Sequence, residues 1–226
     1  MQRCLLCASE SVRSYGHAHG RPVEECIQCG LIFVPRPFHP DAQDERHRYE
    51  THNNDPSDEG YRTFLRRVMK PLIHRISPPA EGLDFGAGPG PTLSVMLEER
   101  GYDMTVYDPF FSPDADIIER TYDFITCTET AEHFHNPAEE FERLHRMLKP
   151  GGWLAVMTQW ADGKNFGRWA YARDLTHVCF YRSRTMLWIA DRFAYHLETP
   201  RRDVALFRRG WEAPDARSGD EARYRG

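Results

Sequence analysis

Long apolar runs are missing from this chain. Its longest charge-free stretch, Phe85–Leu97, spans thirteen residues rich in glycine and proline, well short of the roughly 18–20 apolar residues that cross a bilayer. The start, Met1-Gln2-Arg3-Cys4, leads straight into a cysteine pair without an apolar signal region, so a cytoplasmic protein away from the membrane is expected. Positive charge is not in excess either: 29 Lys and Arg stand against 34 Asp and Glu, for a net charge of −5. The overall basic footprint of a nucleic-acid binder is therefore absent, and only a local patch could serve that role. No internal repeat is visible. The 226 residues, 40% of them apolar, suffice for one sizeable domain and a small appendage, at roughly 100–200 residues per domain.

Cysteine is scarce beyond the first 29 residues. Cys127 and Cys179 stand alone in apolar-aromatic surroundings and read as buried thiols. The other four form Cys4-x2-Cys7 and Cys26-x2-Cys29 with eighteen residues between the pairs. Nothing points to an oxidising compartment, which argues against disulfides. This spacing fits a four-thiolate zinc site, with a redox or iron–sulfur site as the alternative. Gly30 suits the tight turn that aims backbone N–H groups at metal-bound sulfur. Four thiolates leave no open coordination position, so the expected zinc is structural.

Residues 1–38 read as a zinc ribbon, with Val23, Leu31, Ile32 and Phe33 as its apolar complement. Residues 39–78 read as a polar linker followed by a lead-in helix, where Phe64, Leu65, Val68, Leu72 and Ile76 recur at helical spacing after Tyr61. From 79 to 210 strands and helices alternate, the pattern of a doubly wound, mostly parallel α/β sheet. Strands are expected at Gly82–Phe85, Asp103–Tyr107, Phe124–Thr128 and Trp153–Thr158. Helices are expected after Thr92 as cap, after Asn136-Pro137 with Glu139 in a capping box, and over Thr185–Phe193. Ala194–Glu198 and Asp203–Phe207 suit a terminal antiparallel pair. The interval from Asp108 to Phe124 is too short for a full crossover, so one unit is abbreviated. Residues 211–226 are polar and read as a flexible tail.

A strand, the turn Gly86-Ala87-Gly88-Pro89-Gly90, a helix and then Asp108 after the next strand describe a nucleotide site. A tight turn without a ligand is the plain alternative. The loop is G-x-G-x-G rather than the dinucleotide G-x-G-x-x-G, and Asp84 precedes it. A carboxylate there repels a pyrophosphate and attracts a cationic amine.

These motifs, with Tyr122-Asp123-Phe124-Ile125 and Leu148-Lys149-Pro150-Gly151-Gly152, resemble those of class I S-adenosylmethionine (SAM)-dependent methyltransferases. The resemblance covers about Arg62 to Phe207. It implies a seven-stranded sheet, with the carboxy-propyl part of SAM over Gly86, Ala87, Gly88 and Gly90. It also implies the ribose on Asp108 and the adenine near Pro109 and Phe110, with Asp84, Thr128 and Glu129 completing the cofactor-binding set. The ribbon is similar to one in a bacterial subgroup of these enzymes, some acting on sugars. That subgroup usually has a further C-terminal domain, which is not expected here, so the sugar assignment does not transfer.

Glu129-Thr130-Ala131-Glu132-His133-Phe134-His135 follows a strand whose carboxyl end borders the crevice. One helical turn would bring Glu129, Glu132 and His133 to a single face as candidate divalent-metal ligands. Glu-x-x-Glu-His resembles the metal motif of ubiquinone-type O-methyltransferases and small-RNA 2′-O-methyltransferases. That resemblance implies a further histidine, and His177 sits in the corresponding region. The alternatives are His133 or His135, beside Glu132, as a metal-free base, or a purely structural Glu-His pair. Tyr49, His52, Asn53 and Tyr61 could close over SAM or substrate, or form a solvated linker. Phe166, Trp169 and Tyr171 could form an aromatic lid over an acceptor, or pack on the ribbon.

The sequence thus reads as a methyltransferase using SAM, structural zinc and a candidate second metal on a hydroxyl-bearing small molecule or sugar-like acceptor. The competing readings are an RNA methyltransferase that recognises RNA through the ribbon, and a catalytically silent SAM-binding partner protein. Arg62, Arg66, Arg67 and Lys70 would be the RNA patch, or simply a solvated helix face.

Overall fold

In the computed structural model the described residues are 2–51 and 54–210. The expectations for His52, Asn53 and the tail at 211–226 lie outside them. The chain opens with a hairpin of β1 (Val12–Ala18) and β2 (Arg21–Cys26). His19 and Gly20 both sit at positive φ between them, the backbone twist that two-residue hairpin turns need. β3 (Ile32–Phe33) pairs with β2. The polar stretch read as a linker then forms α1 (Ala42–Glu50). Asp41 explains it, because its side chain accepts the Gln43 and Asp44 N–H groups at 2.9 Å each. The hydrophobic pattern could not show this helix, since its buried residue is Glu45. α2 (Glu59–Ile73), capped by Asp58, buries Leu65, Val68, Met69 and Leu72 at the expected spacing.

The core continues as β4 (Glu81–Phe85), α3 (Thr92–Glu98), β5 (Asp103–Tyr107), β6 (Tyr122–Thr128), α4 (Pro137–Met147) and β7 (Leu148–Met157). β8 (Cys179–Phe180), α5 (Ser183–Phe193), β9 (Tyr195–Arg201) and β10 (Val204–Arg209) complete the described elements. The main sheet has the order β5-β4-β6-β7-β10-β9. Its first four strands are parallel and β10 is antiparallel to both neighbours. Between β5 and β6 the described chain forms one short helical turn, Ile117–Glu119. The abbreviated unit therefore leaves six strands in place of the seven that the resemblance implies.

Two local expectations are corrected. Thr92 does not cap α3, because Pro91 stands at that position and the Thr92 hydroxyl donates to the Asn54 carbonyl at 2.6 Å. Asn136 precedes α4 without a side-chain cap or a box with Glu139; its amide oxygen accepts from Arg36 instead. In both cases a distant segment outcompetes the local backbone for the side chain.

Successive residues of a strand face opposite ways, and the sheet separates two apolar layers accordingly. Ile125, Cys127, Leu154 and Val156 face one layer, while Phe124, Ala155 and Met157 face α2 and α3. Cys127 and Cys179 are both fully buried. β3 pairs with β8, which follows the core strand β7 by more than twenty residues, so a four-stranded sheet β1-β2-β3-β8 joins the ribbon to the rest. Leu31 and Phe33 lie in the same apolar layer as Phe85 and Val156. The ribbon is docked on the core.

Candidate active site

The glycine loop leaves β4 with Gly86 and Gly88 both at positive φ. A β-carbon on Gly86 would sit 2.1 Å from the Thr130 side chain, so close approach as well as backbone conformation requires glycine there. Asp108, just beyond β5, accepts N–H groups from Gly88 at 2.8 Å, Phe110 at 2.8 Å and Phe111 at 3.1 Å. Its carboxylate thus braces the loop from the position expected to meet a ribose. Asp84 is buried and accepts hydroxyls from Thr126 at 2.7 Å and Ser94 at 3.2 Å. Burial pushes its carboxyl up to about 6. These residues border a cleft of about 550 Å³, lined also by Ala87, Gly90, Pro109, Phe110, Thr128 and Tyr61.

At the other end of the cleft β6 ends at Thr128, and Glu129 takes a left-handed φ of +49° while its N–H donates to the Met157 carbonyl at 2.7 Å. Such backbone is uncommon for a non-glycine residue and clusters at functional sites. The expected helical turn is a short 3₁₀ turn, Ala131–His133. Glu132 is fully buried; Oε1 accepts the Tyr171 hydroxyl, and Oε2 has no partner among the described residues. His133 Nδ1 lies 3.1 Å from the Thr176 carbonyl and His177 Nδ1 lies 2.7 Å from the Tyr171 carbonyl. A carbonyl only accepts, so each Nδ1 donates, and in a neutral imidazole the lone pair then lies on Nε2.

Ligand atoms of Glu132, His133 and His177 lie within 4.8 Å of one another. An unpartnered carboxylate oxygen and two imidazoles oriented by carbonyls suit a divalent ion. Glu129, the fourth expected ligand, is not in this converging group. Burial and the Glu132 charge push its carboxyl up to about 9.

A sequence profile described as a methyltransferase domain matches residues 61–199, more than half of the chain. The chain belongs to this methyltransferase family. Its fold is the one found in class I SAM-dependent methyltransferases. Among solved structures, the chain is similar to the Burkholderia thailandensis 1,6-didemethyltoxoflavin-N1-methyltransferase with bound 1,6-didemethyltoxoflavin and S-adenosylhomocysteine. The TM-score is 0.51 at 16% identity, covering 81% of this chain and 97% of that one. A Pyrococcus horikoshii OT3 protein gives a TM-score of 0.51 at 14% identity, covering 71% and 96%. At such identities the likeness is one of fold.

Curated relatives include the ubiquinone biosynthesis O-methyltransferase of Shewanella pealeana, 28% identical over 91 residues, 40% of this chain and 39% of that protein. The Vibrio cholerae protein of the same name is 31% identical over 77 residues, 34% and 31% respectively. The match thus spans under two fifths of the length of these relatives.

Further parts of the methyltransferase cleft come from segments without a clear sequence motif. α1 delivers Glu45, buried and bonded to His135 Nε2 at 2.9 Å and to the Tyr49 hydroxyl at 3.3 Å. Tyr49 sets its ring edge-on to His133 and Phe110. Glu45, Asn54, Glu140 and Arg143 also line the cleft, as does Phe64 of the lead-in helix, and no local motif marks them. The Asp41 cap was the one signal that could have placed Glu45 on a helix. Tyr171 lines the cleft, but Trp169 does not. Trp169 stacks on Tyr171 and donates Nε1 to Gln159 at 3.3 Å, while Phe166 packs between Tyr15 and Phe180. Phe166 and Trp169 thus take the ribbon-packing alternative, against Phe180 of β8, where packing removes their apolar surface from water, while Tyr171 keeps its place in the cleft. On α2, Arg62, Arg66 and Arg67 are paired with Glu99, Glu59 and Asp203.

The ribbon brings Cys4, Cys7, Cys26 and Cys29 together, with sulfur atoms 3.5 Å apart for Cys4–Cys29 and 3.4 Å for Cys7–Cys26. A zinc tetrahedron with bonds of about 2.3 Å has edges of about 3.8 Å, so the set is near the size required. Ala8 and Gly30, each following the second cysteine of its pair, both adopt positive φ. The two knuckles are thus built alike, and the thiolate set fits zinc.

Proposed function

We propose that this methyltransferase transfers the SAM methyl group to a hydroxyl of a small acceptor, with a divalent ion held by Glu132, His133 and His177. The convergence of a Glu132 oxygen, unpartnered among the described residues, with two histidines oriented by backbone carbonyls, in the same cleft as the glycine loop, carries the reading. The O-methyltransferase name of the partial relatives agrees with a hydroxyl acceptor. SAM supplies a methyl group already activated by a cationic sulfur. Gly86, Ala87, Gly88 and Gly90 would leave room for its amino-acid end, Asp84 would balance its ammonium, and Asp108 would receive the ribose hydroxyls. Pro109 and Phe110 would cover the adenine, and Thr128 and Glu129 would border the transferred group. A divalent ion at the three side chains supplies Lewis acidity that lowers the pKa of an acceptor hydroxyl. A set with one carboxylate and two imidazoles favours Mn²⁺, Fe²⁺ or Zn²⁺ over Mg²⁺. Tyr49, Tyr61 and Tyr171 would position the acceptor.

The runner-up is a metal-free base. It rests on His135, whose contact with buried Glu45 resembles a carboxylate-oriented general base. The pairing of the α2 arginines with acids disfavours an RNA patch. In this reading residues 1–38 form a structural zinc ribbon, 39–78 carry the cleft-covering segment and 79–210 form the catalytic core, in a cytoplasmic enzyme. Among the described residues no helix is long and apolar enough to cross a membrane.

Labelled SAM offered with a metabolite extract and with total RNA tests the acceptor class. Label should enter the small-molecule fraction, with stimulation by Mn²⁺ that His133→Ala abolishes. Anomalous scattering from Mn²⁺-soaked crystals should place an ion about 2.0–2.6 Å from the three side chains. Label in RNA overturns the acceptor class, and transfer without an ion at this position leaves His135 as the base.

A further inference from the structure

Arg21 begins β2, within the ribbon, and is only 8% exposed. Its guanidinium takes no part in the cysteine site and does not line the main cleft. Nη1 donates to the Leu175 carbonyl at 2.6 Å, and Nη2 donates to the carbonyls of Asp174 at 3.0 Å and Ala172 at 3.4 Å. Three carbonyls of one short segment thus converge on one cation from a strand about 150 residues earlier in the chain. The Asp174 carboxylate is occupied elsewhere, by Thr176 and by Arg48. A rigid fork of five N–H donors suits such a set of acceptors better than an ammonium would.

The clamped segment supports the metal-binding group. The Tyr171 carbonyl just before it holds His177 Nδ1, and the Thr176 carbonyl just after it holds His133 Nδ1. The Val178 N–H donates to the Glu132 carbonyl at 2.9 Å, and the Tyr171 hydroxyl reaches the Glu132 carboxylate. Every one of the three candidate ligands is therefore tied to the stretch 171–178. Immediately after it, β8 pairs with β3 of the ribbon, through Phe33 with Cys179 and Ile32 with Phe180.

We infer that Arg21 is a positioning residue for the Glu132–His133–His177 group, acting through the carbonyls of Ala172, Asp174 and Leu175. The ribbon then serves the methyltransferase as a brace for its active site. The clamp stands on geometry alone, and its consequence for metal rests on the function proposed above.

Arg21→Met, which keeps an apolar stem and removes the donors, and Arg21→Lys, which keeps the charge with fewer donors, are compared with wild type on the full chain. Amide hydrogen exchange at Thr176, His177 and Val178 should accelerate at least tenfold in Arg21→Met. Its Mn²⁺ affinity, read by electron paramagnetic resonance, should fall about 10- to 100-fold, the usual range for loss of a support around metal ligands. S-adenosylhomocysteine affinity and zinc content should stay within twofold of wild type, and Arg21→Lys should recover part of the loss. Unchanged exchange in Arg21→Met overturns the clamp. Faster exchange with unchanged Mn²⁺ affinity overturns its link to the metal group. Absence of Mn²⁺ uptake by wild type overturns the metal half of the proposed function, and exchange alone then decides the clamp. If Arg21→Met does not fold, Arg21→Lys decides: selective loss of Mn²⁺ affinity supports the role, and parallel loss of S-adenosylhomocysteine binding overturns it.

Discussion

Asp84 shows how one side chain can be tuned by its surroundings to a task. Two hydroxyls stabilise its charge, but full burial outweighs them and raises the carboxyl to about 6 from an ordinary 3.8. An ammonium group arriving in the cleft favours the ionised form, so binding below pH 6 must release a proton. The affinity for SAM or S-adenosylhomocysteine should therefore rise with pH up to about 6 and then level. Calorimetry across pH 5–7.5, in buffers of different ionisation enthalpy, measures both the trend and the proton. Asp84→Asn should weaken binding and flatten the profile. For stability the sign is opposite. A raised folded-state pKa contributes stability below 3.8 that is lost as pH climbs through about 6. Asp84 was legible from its place before the glycine loop, whereas its burial and its partners Ser94 and Thr126 come from other elements.

The end of β5 and the glycine loop act as one element joined by a carboxylate. Asp108 holds amides on both sides, at Gly88 and at Phe110 and Phe111. Asp108→Ala should weaken SAM binding by roughly 1.5–3 kcal/mol, the range for hydrogen bonds to a charged group. It should also accelerate amide exchange at Gly88, which a loss of ribose contact alone would not do. Titration calorimetry and hydrogen exchange on the same variant separate the two effects. At this scale the periodic elements are legible in the sequence. α2, α4 and the parallel strands follow apolar spacing, because each buries a face against the sheet. α1 escaped, since polar contacts hold it. Its partners are His135 and Asp174, about 90 and 125 residues away.

Across the whole molecule, ribbon and core share one apolar layer and one small sheet. Cys26→Ser should remove one zinc per chain, measurable by metal analysis. Because thiolate binding contributes folding free energy to so small a module, order should be lost over residues 1–38. Through β3 and Arg21 the disturbance should extend to 172–180, so exchange there should rise with the ribbon's. An isolated effect on the ribbon would show that the core holds that segment unaided. Composition and spacing alone carried the class of fold, the glycine loop with its two acids, the four-thiolate set and the Glu-His run after β6. Those signals are local, arising from periodicity, turn chemistry and ligand spacing within a few residues. That Glu129 stays apart from the Glu132–His133–His177 group, that Glu45 enters the cleft, that Trp169 stays out of it and that Arg21 grips Ala172, Asp174 and Leu175 depend on contacts between remote segments. They depend on how the sheet stacks its layers and where β3 meets β8, and tertiary packing selects among partners that no local pattern distinguishes.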